Sequence, residues 1–310
     1  MTDHVTEALS QAIIGSKPSA EAVAIARTAI VDVLACAFGG ANDRSPRLVS
    51  KVLGASGNVV LIGQSGTAVP FTAALINGHA AHVLDYDDVH GSVRGHPTIA
   101  IIPALLSVAA GSKIRADALI SAYIVGLETM ARLGLAMGTK HYETGFHATA
   151  TLGTIGAAAA IAHLLKFDAP TTAIALGLAA TQSAGLRLQF GFDAKPLHAG
   201  FAARAGLTAA RLAEAGFLGA PDFIDNTNGF FKAFAFGADD VSRVTQGWGE
   251  PWQIIVPGLT LKAFPCCTAA HPVGVGVLAL RNDMAWQSDQ IAAVSITFLL
   301  GLCHDTVTIR

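Results

Sequence analysis

The chain has 310 residues, 52% of them hydrophobic and only 14% charged, with a mean hydropathy of +0.50. That length and apolar share exclude a disordered chain and guarantee a substantial core. Twenty basic against 22 acidic residues leave a formal charge of −2, which offers DNA, RNA or anionic lipid no general electrostatic footprint.

In chain order, Ser19-Ala20-Glu21-Ala22 opens a helix with Ser19 as N-cap, the apolar run Val23 to Phe38 fills it and Gly39-Gly40 stops it. Further helices are expected over about 43–54, 68–84, 97–110, 114–136, 149–166, 169–186, 195–216 and 228–236. Between the second and third, Asn58 to Gly63 is a short β-branched run that predicts a minor strand or hairpin arm. Thr144 to Leu165 has no Asp, Glu, Lys or Arg and is long enough to span a bilayer. Its two histidines, several threonines and three glycines argue instead for a helix packed on all sides, with Gly153, Gly156 and Ala157 to Ala160 admitting close neighbours.

Near residue 246 the composition changes, and Gly247-Trp248-Gly249-Glu250-Pro251-Trp252 and Pro257-Gly258 punctuate a connection. Beyond it a helix over about 270–282 and an extended segment from Gln290 to Leu300 are expected. The fold class read from this pattern is mainly α: a large all-helical domain over 1–258, followed by the incomplete start of a smaller α+β lid domain over 259–310.

Four polar clusters stand out in so apolar a chain. The densest is His79-x-x-His82-x-x-Asp85-Tyr86-Asp87-Asp88-Val89-His90 with Gly95-His96-Pro97. His79, His82 and Asp85 are spaced to share one helix face, and His96 stands beside a helix start whose free N–H groups suit a carboxylate. The alternative is that the aspartates cap helices and the histidines are satisfied core groups. The second cluster, Tyr142 to Thr149, places His147 ahead of the long uncharged helix, or is a capping loop with Thr149 as cap. The third brings Arg187, Lys195 and His198 beside apolar helices, three cations able to hold a polycarboxylate, or a solvated interhelical loop. The fourth is Leu261-Lys262-Ala263-Phe264-Pro265-Cys266-Cys267, whose vicinal cysteines read as small residues near a pocket.

Four cysteines make no disulfide framework, and the start Met1-Thr2-Asp3-His4 lacks the basic region of a signal peptide, so a cytoplasmic protein is expected. Gly274-Val275-Gly276-Val277-Leu278-Ala279 fits a loose dinucleotide fingerprint without a preceding strand, and neither a G-x-S-x-G elbow nor a P-loop occurs. The His79/His82/Asp85 spacing keeps a metal-dependent hydrolase open as a rival to metal-free proton transfer by histidine.

Taken together, Leu84-Asp85-Tyr86-Asp87-Asp88 with Gly95-His96-Pro97, Gly145-Phe146-His147-Ala148-Thr149, Lys195-Pro196-Leu197-His198-Ala199-Gly200 and Leu261 to Cys267 resemble the MmgE/PrpD family in order and spacing. The family includes 2-methylcitrate dehydratase, cis-aconitate decarboxylase and iminodisuccinate epimerase. The resemblance implies a cofactor-independent enzyme with no metal, acting on a small di- or tricarboxylate, with a helical domain and a smaller lid, as a homodimer. It places Asp85, His96, His147, Lys195 and Lys262 in the pocket. Lys195 and Lys262 would hold carboxylates; His96 and His147 would move protons, and Asp85 would orient one imidazole. The third cluster adds Arg187 and His198 as further substrate-binding candidates. A hydro-lyase of the 2-methylcitrate dehydratase type is the first expectation. An epimerase of a dicarboxylic imino acid follows, then a cis-aconitate decarboxylase type, and an inactive helical scaffold is the non-enzymatic reading. Val89 stands where the better-known dehydratases and decarboxylases look to have a threonine, which points to a different substrate, and the chain stops before the rest of the family's lid.

Overall fold

The computed structural model describes residues 4–54, 56–237, 239–284, 287–296 and 307–309. It is mainly α-helical and divides into two units, Met1–Leu261 and Lys262–Arg310.

In the first unit, α1 (Val5–Gly15) leads into α2 (Ala20–Gly40) and α3 (Arg44–Leu53). Strands β1 (Val59–Val60) and β2 (Thr67–Ala68) form the expected hairpin arm, with Val59 opposite Ala68. After α4 (Pro70–His82) a loop carries β3 (Val89–His90), then come α5 (Thr98–Ala109), α6 (Ala116–Met137), the short α7 (Lys140–Glu143) and α8 (Ala148–Leu165). The unit closes with α9 (Ala169–Ala180), α10 (Ala194–Glu214), α11 (Phe230–Phe234) and β4 (Leu259–Thr260), which pairs antiparallel with β3.

Local chemistry explains the helix starts. Ser19 Oγ accepts from Ala22 N–H and Asp168 from Thr171 N–H, each freeing a first-turn donor from water. The start of α1 is satisfied from far along the chain, since the Asp225 carboxylate accepts from Val5 N–H at 2.8 Å and Thr6 N–H at 2.9 Å. That helix has no individual signature in the sequence beyond general apolarity.

The core lies where α8 packs against α5, α6, α9 and α10. Ile99, Ile101, Leu105, Tyr123, Leu127, Met130 and Ile155 are fully buried there. At the α6–α8 crossing a Cβ on Gly126 would stand 2.7 Å from the Gly156 carbonyl oxygen, so only glycine permits this backbone approach. Three helices, Ala20–Gly40, Ala116–Met137 and Ala148–Leu165, are long and apolar enough to cross a membrane by length and composition. The last is almost wholly covered by its neighbours, as expected of a helix packed on all sides.

Two expectations are corrected. Helix α9 ends at Ala180 and not near 186, because the chain turns away so that Gly185 C=O accepts from His147 N–H at 3.0 Å and Arg187 N–H donates to Gly145 C=O at 2.8 Å. Thr149 is not the cap of α8; His147 holds that position, and Thr149 Oγ1 accepts from His96 N–H at 3.0 Å.

The second unit contains α12 (His271–Met284), β5 (Val294–Ile296) and β6 (Val307–Ile309), the strands pairing antiparallel with Ser295 opposite Thr308. The glycine fingerprint at 274–279 lies inside α12, so it forms no phosphate loop. Of the extended segment expected from Gln290 to Leu300, Val294–Ile296 is strand, Ser288–Gln290 is a 3-10 turn, and 297–300 lie outside the described residues. Cys266 and Cys267 are free thiols.

Candidate active site

The C-terminal end of α4, the loop from 83 to 97, the start of α8 and the first turns of α10 converge on one cluster. Helices α4 and α10 meet backbone to backbone: a Cβ on Gly200 would lie 2.2 Å from the Leu75 carbonyl oxygen. This approach brings His82 on α4 into range of Lys195 on α10. Just beyond α4, Asp85 adopts a left-handed φ of 49°, a conformation that Asp tolerates better than most residues. The turn sends neighbouring carboxylates to different partners. Asp85 Oδ1 meets Lys195 Nζ at 2.7 Å, while Asp87 Oδ1 meets His82 Nδ1 at 2.8 Å with both side chains fully buried.

His96 sits between these pairs. Its Nδ1 lies 2.9 Å from the Asp88 carbonyl oxygen, to which it donates, and also 2.9 Å from Asp87 Oδ2, which has no hydrogen-bond partner among the described residues. Its Nε2 is 3.9 Å from Asp85 Oδ1. The His82 ring is 4.5 Å from the His96 ring and 6.2 Å from that of His147, centroid to centroid. His147 Nδ1 faces His198 Nδ1 at 3.0 Å, and Phe190 closes edge-on against the His147 ring at 5.0 Å.

Burial sorts these groups by charge. It pushes His82 down to about 4. Burial also lowers His147 well below the imidazole range, reinforced by His82, His96, His198 and Lys195. His198 is lowered by burial as well. Burial alone would raise Asp87, but the charges and hydrogen bonds of His82 and His96 outweigh it and hold the carboxyl well below the usual range. The state that satisfies both partners is an ionised Asp87 accepting a hydrogen bond from Nδ1–H of a neutral His82. Asp88 is pushed the other way by burial, to about 8, against hydrogen bonding from Thr98, whose hydroxyl also lies 2.6 Å from Tyr123 Oη. A protonated Asp88 therefore sits one residue from an ionised Asp87.

These groups combine an ion pair open at one edge, a buried carboxylate and two imidazoles in different surroundings, the requirements for moving a proton beside a bound carboxylate. A model of the MmgE/PrpD N-terminal domain matches residues 6–242. The chain belongs to the MmgE/PrpD family. Among its MmgE/PrpD relatives, a cis-aconitate decarboxylase-like protein oryM of Aspergillus oryzae is 29% identical over 289 residues, covering 86% of this chain and 60% of that protein. The cis-aconitate decarboxylase of Homo sapiens is 27% identical over 296 residues, covering 92% and 61%. That of Aspergillus terreus is 29% identical over 262 residues, covering 79% and 53%. The chain thus spans about three fifths of the length of the curated relatives it matches.

Five of the expected site residues, Asp85, His96, His147, Lys195 and His198, come together in the helical unit. Arg187 does not join their contacts. Its guanidinium lies 3.8 Å over the Tyr142 ring and donates to the Tyr142 carbonyl at 2.9 Å. Lys262 is the first residue of the second unit. His198 partners His147 instead of standing free as a cation. Asp85, expected to orient an imidazole, is engaged with Lys195, and the carboxylate within bonding range of His96 Nδ1 is Asp87. His82 and Asp87 are the pair that sequence reasoning left out of the site. Their spacing in the first cluster was visible, but nothing in it distinguishes a fully buried carboxylate from a helix-capping one.

Oxygen and nitrogen atoms of His82, Asp85, Asp87 and His96 lie within 4.8 Å of one another, a set that has the makings of a metal site. Asp85 Oδ1 is engaged by Lys195 and Asp87 Oδ1 by His82 Nδ1, while His82 Nε2 and Asp87 Oδ2 have no hydrogen-bond partner among the described residues.

Proposed function

We propose that this protein is a cofactor-independent lyase that transfers a proton at a carbon next to a carboxylate in a small di- or tricarboxylate. Decarboxylation of a cis-aconitate-like acid is the reaction to test first. The observation that carries this reading is the cluster of Asp85, Lys195, His96 and His147, with one cation paired at its edge and two imidazoles nearby. Relatives named cis-aconitate decarboxylase support decarboxylation over the hydro-lyase expected from the sequence.

In such a reaction Lys195 exchanges Asp85 for a substrate carboxylate. The C–CO2 bond breaks, its electron pair moves onto carbon conjugated with a retained carboxylate, and a proton from the His96 side replaces the lost group. Dehydration is the second reading. Two imidazoles in unlike environments favour it, since loss of water needs a base for the C–H and an acid for the departing hydroxyl. The low charged fraction and the apolar surface at Val31 and Phe38, 67% and 69% exposed, support a homodimer.

The test is incubation with cis-aconitate, citrate and 2-methylcitrate, with and without a chelator, followed by proton NMR. Chelator-resistant loss of carbon dioxide from an unsaturated tricarboxylate is expected. Loss of water moves the assignment to the second reading, and turnover that chelation abolishes and one metal restores overturns cofactor independence.

A further inference from the structure

The best-buried charge of the cluster is neither of the two groups at its open edge. Asp87 has no exposed side-chain surface, and a carboxylate in that position is costly unless its oxygens are matched. One oxygen is matched by His82 Nδ1 at 2.8 Å, and the other lies 2.9 Å from His96 Nδ1. The His96 Nδ1–H therefore donates to a neutral acceptor, the Asp88 carbonyl, with the charged Asp87 Oδ2, which has no hydrogen bond of its own among the described residues, beside it at 2.9 Å. With Nδ1 carrying the proton, Nε2 is the free atom of the ring, on the Asp85 side at 3.9 Å.

We propose that Asp87 is a positioning residue, held by His82, that fixes the His96 ring and stabilises the charge appearing on that imidazole when Nε2 takes up a proton. It acts through His96 and touches no substrate. This is the arrangement by which a buried carboxylate orients and supports a catalytic histidine in hydrolytic triads, reached here with a second histidine behind the carboxylate. The inference rests on His96 being the proton-transfer group of the proposed function.

Other titratable groups surround Asp87. Asp32 on α2 and Asp88 in the same loop feel its charge, and Tyr123 on α6 feels those of Asp88 and Asp32. Its two histidine partners are in turn approached by His147 at the start of α8, by Lys195 on α10 and by Asp85, with His198 on α10 facing His147. Of these, only Asp87 combines full burial with contact to both His82 and His96.

The decisive experiment reads the His96 ring by NMR of histidine-labelled protein and, where a substrate turns over, the pH–rate profile. In the parent, a strongly downfield His96 Nδ1 proton is expected, the mark of a charged acceptor. In Asp87→Asn it should move upfield, kcat should fall roughly a hundredfold or more with little change in KM, and the acidic limb of the profile should shift by about one pH unit. His82→Gln keeps a donor for Asp87 Oδ1 and should retain the downfield signal. A folded Asp87→Asn with the parent's signal and profile overturns the proposal. Should Asp87→Asn fail to fold, the parent spectrum decides: a downfield Nδ1 proton retained in His82→Gln supports the proposal, and an ordinary Nδ1 shift overturns it. The spectra need no substrate, so an inactive polycarboxylate panel would refute the proposed function while leaving this arrangement separately testable.

Discussion

The Nδ1 atoms of His147 and His198 face each other at 3.0 Å inside the helical unit. One proton fits between them and a second does not, so at least one ring is a neutral acceptor, in keeping with burial lowering both. Acidification should force like charges together and reversibly suppress activity. His198→Asn keeps a hydrogen-bonding group but removes one titrating site. It should retain a larger share of its pH 7 turnover in acid than the parent, and an unchanged acid profile would contradict the contact's importance.

His96 and Lys195 have separable tasks. His96→Gln should lower kcat roughly a hundredfold or more with substrate binding nearly intact. Lys195→Ala should weaken binding first, because a desolvated substrate carboxylate loses a charged partner worth about 2–5 kcal/mol. Steady-state kinetics beside substrate-induced thermal stabilisation separates the two. A kcat loss in Lys195→Ala at unchanged KM would reverse the roles.

Stability should peak near pH 6.5. His79 and His82, both pushed down to about 4 by burial, are neutral when folded. As pH falls below about 6.5 the unfolded chain takes up their protons first, so the stability present at pH 7 is lost progressively down to about pH 4. Asp88, raised to about 8 by burial, works in the opposite sense. Its contribution is full below about pH 3.8 and declines as pH rises through 8. Between pH 4 and 6.5 two histidines outweigh one aspartate; above 6.5 the aspartate acts alone, and roughly 2 kcal/mol is lost by pH 8. Thermal melts from pH 4 to 9 check this, and Asp88→Asn should abolish the alkaline decline. A decline that survives in that variant would refute the assignment.

Glu128 on α6 ties down the segment from 246 to 253. Its fully buried carboxylate accepts from Arg132 Nε at 2.7 Å and from Gln253 N–H at 2.6 Å, while Arg132 donates to the carbonyls of Gln246 and Gly247. Glu128→Ala leaves a buried guanidinium uncompensated and should cost about 3–5 kcal/mol in urea unfolding. The exposed pair Arg243–Asp240 is the control, and removal of Asp240 is expected to leave the urea midpoint nearly unchanged.

The helices were legible because apolar periodicity and caps such as Ser19 and Asp168 act locally. What depended on distant partners was not. Helix α1 is held by Asp225, more than two hundred residues away, and the pairing of Val89 with Thr260 joins segments with no mutual sequence signal. At the site, Asp85, His96, His147 and Lys195 were found through their motifs. Asp87 and Asp88 are adjacent and chemically identical in sequence. Only packing makes one an ion between two histidines and the other a protonated acid beside Thr98.

The most direct measurement of the central claim follows solvent hydrogen into substrate carbon by proton NMR in deuterated water, comparing the parent protein with His96→Gln. The account predicts one deuterium at the carbon next to a retained carboxylate of a small polycarboxylate, with the rate falling at least roughly a hundredfold in the variant. Neither exchange nor turnover for any di- or tricarboxylate by the folded parent, or exchange as fast in His96→Gln, would contradict it.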